Sequence, residues 1–340
     1  MLNTMEKITI IGAGSWGSAL SRLLGDNGHQ VMLYDVSVET VNEINQFHTN
    51  SSKLPNGTLP DSVKATTNLS EAIEVSDIVC LVVPTAVIRE VLVNIASIIK
   101  QPKLFVNAAK GIEPTTYKRV SEIVYEEIPH DKISGFVALT GPSHAEEVVL
   151  QLLTVVASAS DSIEDAKRIQ SIFSNHTYFR VYTVNDLIGA ELGGSLKNVF
   201  ALAAGMVTGL GYGDNAKAAL ITRGLIEMRR LAIALGAKED TLFGLTGLGD
   251  LIVTATSTHS RNYQAGIKIA QGTNLEETLA SIGMVVEGAR TTKSAYFAAR
   301  EFGIETPIID AVYHVIYEYK DVKSSVMELM QRSLKEELIS

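Results

Sequence analysis

The feature that most constrains the fold is a glycine triplet spaced G-x-G-x-x-G, formed by Gly12, Gly14 and Gly17 in "IIGAGSWGSAL". It follows an isoleucine-rich run and opens a stretch with helical periodicity. In such a turn the first glycine permits the bend, the second lets the backbone approach a pyrophosphate, and the third lets the helix pack on the strand. The context predicts a dinucleotide-binding βαβ unit, and a merely tight strand-to-helix turn is the alternative.

Short apolar runs alternate with helical stretches from Lys7 to about Tyr182. Several of these runs are continuously apolar, which is typical of parallel strands that helices cover on both faces. The alternation predicts a doubly wound, Rossmann-type α/β domain. The predicted strands are residues 7–12, 30–35, 77–84, 103–109, 136–141, 152–159 and 178–183, and helices are predicted over Trp16–Asn27, Val38–Phe47 and Tyr117–Glu127.

The pattern changes after about Asn185, where alanine- and leucine-rich stretches of helical period replace the β-rich runs. Glycines follow these stretches as helix stops, in "ALGAKED" and "IAQGTN". We therefore predict a Rossmann-type domain over residues 1–189 and an all-α domain over residues 190–340. The junction is expected to form a ligand cleft.

Composition excludes several classes of partner. The 340-residue chain carries a formal net charge of −9 without a long basic block, which disfavours binding to nucleic acid or to an anionic membrane surface. No apolar run approaches the roughly 20 residues of a membrane helix. The lone cysteine, Cys80, lies in a predicted buried strand, and the amino terminus enters a strand pattern without a signal-peptide core. We expect a cytoplasmic protein, and a homodimer as the default assembly.

Asp35 ends the second predicted strand, about where an acidic residue accepts hydrogen bonds from the adenosine ribose. A carboxylate there repels a 2′-phosphate, and the following "VSVET" supplies no cation to attract one. The sequence therefore predicts NAD as the cofactor, with NADH preferred and NADP as the alternative. A solvated turn residue is the competing interpretation of Asp35.

Lys110, Gly141 and Ser143 follow the ends of two predicted strands, in "NAAKGIEP" and "LTGPSHAEE". The carboxyl ends of such strands open on the ligand crevice. Lys110 is thus a candidate for ligand binding, and a solvated loop lysine is the alternative. Gly141 and Ser143 offer backbone and hydroxyl groups at a helix start, which would equally serve as an ordinary cap.

Lys197 lies in "ELGGSLKNV", within a run nearly bare of charge. On a helix its side chain leans over Gly193 and Gly194, which leave the space beneath it empty. Adjacent glycines inside a helix cost about 1 kcal/mol each relative to alanine, and a ligand approaching the bare backbone would compensate. The alternative is a lysine that extends outward beside a helix-packing glycine pair.

Asp250 and Thr254 in "GLTGLGDLIVTATS" are four residues apart and therefore share one helix face. The carboxylate could hold a catalytic ammonium, or it could simply complement the helix dipole.

Ser260, Arg261 and Asn262 form a helix start in "HSRNYQAGIKIAQG". An arginine there is unfavourable for the dipole unless an anion is also present, so we predict a phosphate site. The seven histidines show no metal-ligand spacing and no Ser-His-Asp order appears, so no metal is expected.

The motif set resembles the bacterial type of NAD(P)-dependent sn-glycerol-3-phosphate dehydrogenase over essentially the whole chain. The resemblance rests on "GAGSWG", "AAKGIEP", "TGPSHAEE", "GGSLKNVFALAAG", "GYGDNAKAALITRG", "LTGLGDLIVTATS", "HSRN" and "GMVVEGARTTK". It implies that Lys197 is the proton donor or acceptor and that Lys110 meets both substrate and nicotinamide. It further implies substrate contacts at Gly141, Ser143, Asp250, Ser260, Arg261 and Asn262, and cofactor contacts at Ser15, Trp16, Ala145, Arg261, Val285 and Glu287.

The resemblance implies reversible hydride transfer between NAD(P)H and dihydroxyacetone phosphate, giving sn-glycerol 3-phosphate for glycerophospholipid synthesis. Many relatives carry histidine or arginine where this chain has Asp35, Val36 and Ser37, and this departure favours NADH. The direction of the reaction stays open. Two alternatives are a β-hydroxyacid-type dehydrogenase, which would need a carboxylate pocket, and a non-catalytic dinucleotide redox sensor, which would not need Lys110, Lys197 and Asp250 together.

Overall fold

The computed structural model describes residues 5–113, 116–283, 285–334 and 336–337. The outer ends of the two predicted domains, residues 1–4 and 338–340, lie outside the described residues, as do residues 114–115, 284 and 335. Within the described chain, no helix is both long and apolar enough to cross a membrane.

Eight strands of the described chain form one sheet in the order β3-β2-β1-β4-β5-β6-β7-β8. Helices connect them and cover both faces, so the predicted doubly wound Rossmann-type domain is confirmed. The elements are β1 Lys7–Ile11, α1 Ser15–Asp26, β2 Gln30–Tyr34, α2 Val38–Phe47, β3 Val63–Thr66, α3 Leu69–Glu74, β4 Ile78–Leu81, α4 Thr85–Ile98, β5 Lys103–Asn107, α5 Val120–Glu127, the 3₁₀ turn His130–Lys132, β6 Ile133–Thr140, α6 Ala145–Val148, β7 Thr154–Ala159, α7 Ile163–Phe173 and β8 Phe179–Val184.

The described residues of the second half form helices joined by loops, without a strand, as predicted. Its elements are α8 Leu187–Gly209, α9 Asp214–Ala234, α10 Glu239–Phe243, the π-helical turn Leu245–Gly249, α11 Asp250–Thr256, α12 Arg261–Ala270, α13 Leu275–Ile282, α14 Glu287–Glu301, α15 Pro307–Glu318 and α16 Val322–Met330. The predicted glycine stops are confirmed, since Gly236 and Gly272 follow helices with φ near +98°. The sheet ends at Val184 and α8 begins at Leu187, so the predicted boundary after residue 189 would lie in the first turn of α8.

Three details of the α/β domain differ from the sequence prediction. Strand β3 was not predicted, because a four-residue edge strand with Lys64 and Thr66 shows no continuous apolar run. Strand β7 runs antiparallel to β6, whereas the other neighbouring pairs are parallel. A parallel return needs a long crossover, and the connection from β6 to β7 contains only the four-residue α6. The helix predicted from Tyr117 begins instead at Val120, since Tyr117 has a left-handed φ of 61°.

Helix α8 is the centre of the helical domain, which explains its lack of charge. It is buried over almost its whole length and packs against α9, α11, α12 and α14. Two glycines let α12 approach it closely: a Cβ at Gly205 would lie 2.0 Å from the Tyr263 carbonyl oxygen, and one at Gly266 would lie 2.0 Å from the Leu202 carbonyl oxygen. Backbone contact therefore fixes the start of α12 beside α8.

Candidate active site

A cleft of about 610 Å³ lies between the carboxyl ends of the central strands and the helical domain. It opens where the chain reverses direction across the sheet, beside β1 and β4, which is the ligand position expected for this topology. The cleft brings together predicted site residues from both halves of the chain: Gly14, Ser15, Trp16, Lys110, Ser143, Ala145, Lys197, Asp250, Thr254, Ser260, Arg261, Asn262, Val285 and Glu287.

The glycine turn has the geometry that a dinucleotide diphosphate needs. Gly12 has φ of 110°, and a Cβ there would lie 2.9 Å from Val83 Cγ1. A Cβ at Gly17 would lie 1.9 Å from the Gly12 carbonyl oxygen, so only glycine allows α1 to pack on β1. By contrast, apart from Gly14 and its two chain neighbours, no described residue has a heavy atom within 4 Å of a Cβ built at Gly14, which leaves room for a ligand. Trp16 Nε1 is buried without a hydrogen-bond partner in the described chain, so the turn fits a bound dinucleotide.

Asp35 lies at the end of β2 and supports this turn. Its Oδ2 accepts from the Ala13 backbone N–H at 2.8 Å and its Oδ1 from the Ser37 N–H at 2.9 Å. The interpretation of Asp35 as a merely solvated turn residue is therefore wrong. The carboxylate places a fixed negative charge beside the turn, where an adenosine ribose would lie.

Lys197 is held inside the protein and does not extend to solvent. Its side chain is 5% exposed, and its Nζ donates to Asp250 Oδ1 and, at 2.7 Å, to Thr254 Oγ1. Thr254 Oγ1 in turn donates to the Asp250 carbonyl at 2.6 Å, since both residues lie on one face of α11. The predicted shared face of Asp250 and Thr254 is confirmed, and it presents a carboxylate and a hydroxyl to the same ammonium.

The glycine pair beneath Lys197 does not leave space for a ligand, contrary to one sequence interpretation. A Cβ at Gly193 would lie 2.5 Å from the Thr246 carbonyl oxygen, and one at Gly194 would lie 2.7 Å from Thr140 Oγ1. The π-helical turn before α11 and the end of β6 fill the space. The glycines thus allow close packing that brings Asp250 to Lys197.

Lys110 reaches the same carboxylate from the α/β domain. Its Nζ donates to Asp250 Oδ2 at 3.0 Å, to the Gly141 carbonyl at 2.8 Å and to Ser143 Oγ at 3.3 Å. One buried carboxylate therefore lies between two ammonium groups, one from each domain. Gly141 takes part through its backbone oxygen, with φ of 137° after β6.

The charges of this cluster influence one another. The pKa of Lys197 is lowered to about 7 in total: burial and the neighbouring Lys110 charge lower it, and Asp250 partly opposes them. Burial alone would raise the pKa of Asp250, but the ammonium groups of Lys110 and Lys197 more than offset this and hold it below its ordinary value. Burial and the same two lysines also lower the pKa of His144, so its imidazole is neutral at pH 7. An amine that titrates near neutrality can both donate and accept a proton.

The start of α12, which also lines the cleft, can hold an anion. The Ser260 side chain caps α12 by accepting from the Tyr263 N–H at 3.2 Å, as predicted. Arg261 in the first turn has an exposed side chain, and its Nη1 donates to the Val285 carbonyl at 3.3 Å. The helix start and the guanidinium group therefore point to one anion site. Asn262 is buried and bonded internally to Asn198 and to the Gly288 N–H.

Several cleft residues were missed by sequence reasoning. Lys53, Asn198, His144 and His259 line the cleft. Glu287 accepts from the backbone N–H of Thr85 at 3.2 Å and from Thr85 Oγ1 at 2.9 Å, which joins the starts of α14 and α4 across the cleft. His144 and Asn198 lie directly beside predicted residues, so motif proximity could have found them. Thr85 had no such signal, because it lies 202 residues from Glu287.

The described residues contain no group of three or more His, Cys, Asp or Glu side chains arranged for a metal ion.

Comparisons with known proteins match this chain over nearly its whole length. The family model described as NAD-dependent glycerol-3-phosphate dehydrogenase N-terminus matches residues 7–166, and its C-terminus counterpart matches residues 186–327. Glycerol-3-phosphate dehydrogenase (NAD(P)+) of Geobacillus kaustophilus is 54% identical over 334 residues, which cover 98% of this chain and 97% of that protein. The corresponding Bacillus cytotoxicus protein is 53% identical, with 98% of each chain covered. The crystal structure of glycerol-3-phosphate dehydrogenase from Coxiella burnetii has a TM-score of 0.91 and 35% identity, covering 96% of this chain and 99% of that one.

Proposed function

Since the chain belongs to the NAD-dependent glycerol-3-phosphate dehydrogenase family, we propose that its cleft interconverts dihydroxyacetone phosphate and sn-glycerol 3-phosphate, with Lys197 as the proton donor and acceptor. The observation that carries the proposal is the buried ammonium of Lys197, held by Asp250 and Thr254 in the cleft that the glycine turn and Arg261 also line. The enzyme is an oxidoreductase of this family.

Each group has a separate task in this mechanism. When bound, the nicotinamide cofactor supplies the hydride to the substrate carbon or takes it away. Lys197 stabilises negative charge on the C2 oxygen and donates the proton there, or accepts it in the reverse direction. Asp250 orients both ammonium groups, and Lys110 adds a second positive charge beside the same oxygen. Arg261 and the start of α12 hold the substrate phosphate and so orient the reacting carbon.

The cofactor is assigned to the groove beside the glycine turn. Gly12, Gly14, Ser15, Trp16 and Gly17 would hold the diphosphate, with Asp35 at the ribose. Contacts with the remainder of the cofactor would come from Lys110, Ala145, Arg261, Val285 and Glu287. The openness around Gly14 supports the first of these assignments.

An absorbance assay with NADH and dihydroxyacetone phosphate tests the function directly. We expect NADH to be consumed only when the phosphorylated ketone is present. A substrate panel should include β-keto acids, because a carboxylate-specific dehydrogenase would prefer them. Binding of NADH without turnover of any ketone would instead indicate a redox sensor and would refute the proposal.

The two directions of the reaction should show opposite pH dependence, because they need opposite protonation states of Lys197. Reduction needs the Lys197 ammonium, so kcat/KM for dihydroxyacetone phosphate should fall above about pH 7, where its pKa lies. Oxidation of sn-glycerol 3-phosphate needs the neutral amine and should rise through the same range. The control is Lys197→Arg, whose guanidinium stays protonated, so the fall in kcat/KM above about pH 7, the alkaline limb, should disappear. If this alkaline limb persists unchanged in Lys197→Arg, a group other than Lys197 causes it.

We expect the enzyme to prefer NADH over NADPH by at least about 10-fold in kcat/KM, because Asp35 repels a 2′-phosphate near the ribose. Asp35→Asn keeps the size of the side chain and one acceptor oxygen but removes the charge. The amide leaves one of the two backbone N–H groups, of Ala13 or Ser37, without its acceptor, so kcat/KM for NADH should fall while that for NADPH changes less, and the ratio of the two should narrow. Equal or better use of NADPH by the unmodified enzyme would overturn the assignment.

The proposal includes a cytoplasmic homodimer that supplies sn-glycerol 3-phosphate for glycerophospholipid synthesis. Its support is the family membership together with Cys80, a single buried thiol that needs no oxidising compartment. Light scattering of the purified chain would reveal the assembly, and a monomer at micromolar concentration would contradict the dimer.

A further inference from the structure

Residues 110–113 form the loop that carries Lys110, and their contacts reach both domains. Asn198 Nδ2, from α8, donates to the Lys110 carbonyl at 3.3 Å. A Cβ at Gly111 would lie 2.8 Å from Thr85 Cγ2 and 3.0 Å from Glu287 Oε2, so the backbone runs directly against the Thr85–Glu287 contact. The next residue, Ile112, is 4% exposed and belongs to the hydrophobic core of the helical domain.

Glu113, at the end of this segment, returns the loop to the α/β domain. Its side chain is 6% exposed and forms a two-pronged ion pair with Arg89 of α4, with Nε to Oε1 at 2.7 Å and Nη2 to Oε2 at 2.8 Å. Its backbone N–H donates to the Lys118 carbonyl at 2.9 Å, and its carbonyl accepts from the Tyr117 N–H at 3.0 Å. Hydrogen bonding to Arg89 lowers the pKa of the Glu113 carboxyl, so the pair is ionised at neutral pH.

Arg89 is itself held in place from the other side. It also donates to Glu126 Oε2 at 3.0 Å and to Glu127 Oε1, both at the end of α5. A guanidinium with several carboxylate partners has little rotational freedom, and its planar fork fixes the carboxylate that it binds in two places. The Arg89–Glu113 ion pair, which is the anchor of the loop, is therefore rigid, whereas a single flexible contact would let the loop shift.

Lys110 depends on this anchor because its ammonium must reach three acceptors at once. The Nζ lies within 3.3 Å of the Gly141 carbonyl, Ser143 Oγ and Asp250 Oδ2, and a small displacement of the backbone would break this set. We propose that Arg89 and Glu113 are positioning residues for the reaction: their ion pair holds the Lys110 loop so that the ammonium stays against Asp250. This inference rests on the proposed role of Lys110 in the site.

Glu113→Gln is the primary test, since it keeps the shape of the side chain and removes its charge. We expect kcat for dihydroxyacetone phosphate reduction to fall about 10-fold or more, because misplacement of a reacting group by about 1 Å costs up to 10²-fold. The Kd for NADH should change much less than kcat, because the contacts of the glycine turn are untouched and Lys110 is only one of the proposed cofactor contacts. Glu113→Asp, which restores the charge, should recover part of the lost kcat.

The matched control is Glu127→Gln. It removes a different carboxylate from the same guanidinium, and this carboxylate lies on α5 outside the loop. Its kcat should stay within about 2-fold of the unmodified enzyme, because Glu126 still holds the guanidinium from α5 and the two-pronged pair with Glu113 is intact. An equal loss in Glu127→Gln and Glu113→Gln would show that only the general integrity of the ion cluster matters, and it would overturn the inference.

A double-mutant cycle with Lys110→Ala separates positioning from a merely structural role. If Glu113 acts through Lys110, adding Glu113→Gln to Lys110→Ala should change kcat by less than about 2-fold. Because the Lys110 charge lowers the pKa of Lys197, Glu113→Gln should also move the alkaline limb of reduction to higher pH. Independent losses that multiply, with no shift of the limb, would contradict the proposal.

The outcome also distinguishes this inference from the proposed function. If Lys110→Ala has normal kcat, the role of Lys110 in the site is wrong. If Lys110→Ala is impaired and Glu113→Gln is not, only the positioning role fails. Should Glu113→Gln not fold, Arg89→Lys carries the same cycle, since it keeps the charge but loses the planar fork. Normal kcat in Arg89→Lys would then refute the inference.

Discussion

Lys197→Ala is expected to lower kcat by about 10²- to 10⁴-fold, the usual contribution of a positioned general acid. The substitution removes the group that donates the proton and stabilises the developing oxyanion, while Lys110 remains to pair with Asp250. The Kd for NADH should stay nearly unchanged, because Lys197 is not among the proposed cofactor contacts. Steady-state kinetics and a fluorescence titration with NADH measure the two quantities.

The matched control for this substitution is Lys103→Ala. Lys103 is also buried, and its Nζ donates to the Ser76 carbonyl, but it lies in β5 outside the cleft. It reports the cost of deleting a buried lysine for folding alone. If Lys197→Ala and Lys103→Ala show equal losses of kcat, or if Lys197→Ala turns over nearly normally, Lys197 is not the proton donor.

Arg261→Ala should lower kcat/KM for dihydroxyacetone phosphate by about 10- to 150-fold, which corresponds to 1.5–3 kcal/mol for a hydrogen bond to a charged group. The loss should be larger for phosphorylated substrate, because the proposed cofactor contact of Arg261 affects both ketones alike. Turnover of dihydroxyacetone, which lacks the phosphate, should be weak in the unmodified enzyme and fall less in the variant. The ratio of the two kcat/KM values is therefore the measurement.

Lys268→Ala provides the control for Arg261→Ala. Lys268 is a cation near the carboxyl end of the same helix and donates to Ser281 Oγ at 2.8 Å. Its removal changes the net charge equally but leaves the helix start intact, so kcat/KM should stay within about 2-fold. If Arg261→Ala lowers kcat/KM for both ketones alike, the arginine serves the cofactor or the fold and not the phosphate.

Much of the scaffold could be predicted because its signals are local. The glycine triplet, the strand periods and the caps lie within a few residues of the elements they define, and helix Val38–Phe47 was predicted at its observed bounds. The edge strand β3 was not predicted, because its stability comes from pairing with β2 and not from its own apolar pattern. The antiparallel return at β7 depends on the path of a loop, which periodicity does not encode.

The candidate site divides in the same way. Asp250 and Thr254 could be placed together from their spacing on one helix, and an uncharged run around Lys197 indicated burial. That Asp250 holds an ammonium was one of two interpretations of its position, and spacing could not decide between them, because α8 and α11 are brought together by the close approach of Gly193 to the Thr246 carbonyl. The Arg89–Glu113 pair gave no sequence signal, since charged residues on α4 and in a loop resemble any solvated surface pair.

The backbone contact of α12 with α8 at Gly205 and Gly266 fixes the separation of two parts of the cleft. One part is the first turn of α12, and the other is the α8 backbone at Lys197. We expect a molecule whose anionic and carbonyl ends are spaced much more widely or more narrowly to bind poorly, because only the side chains of Arg261 and Lys197 can adjust to it. A larger change in the preferred length of the substrate would require the two helices to be repacked.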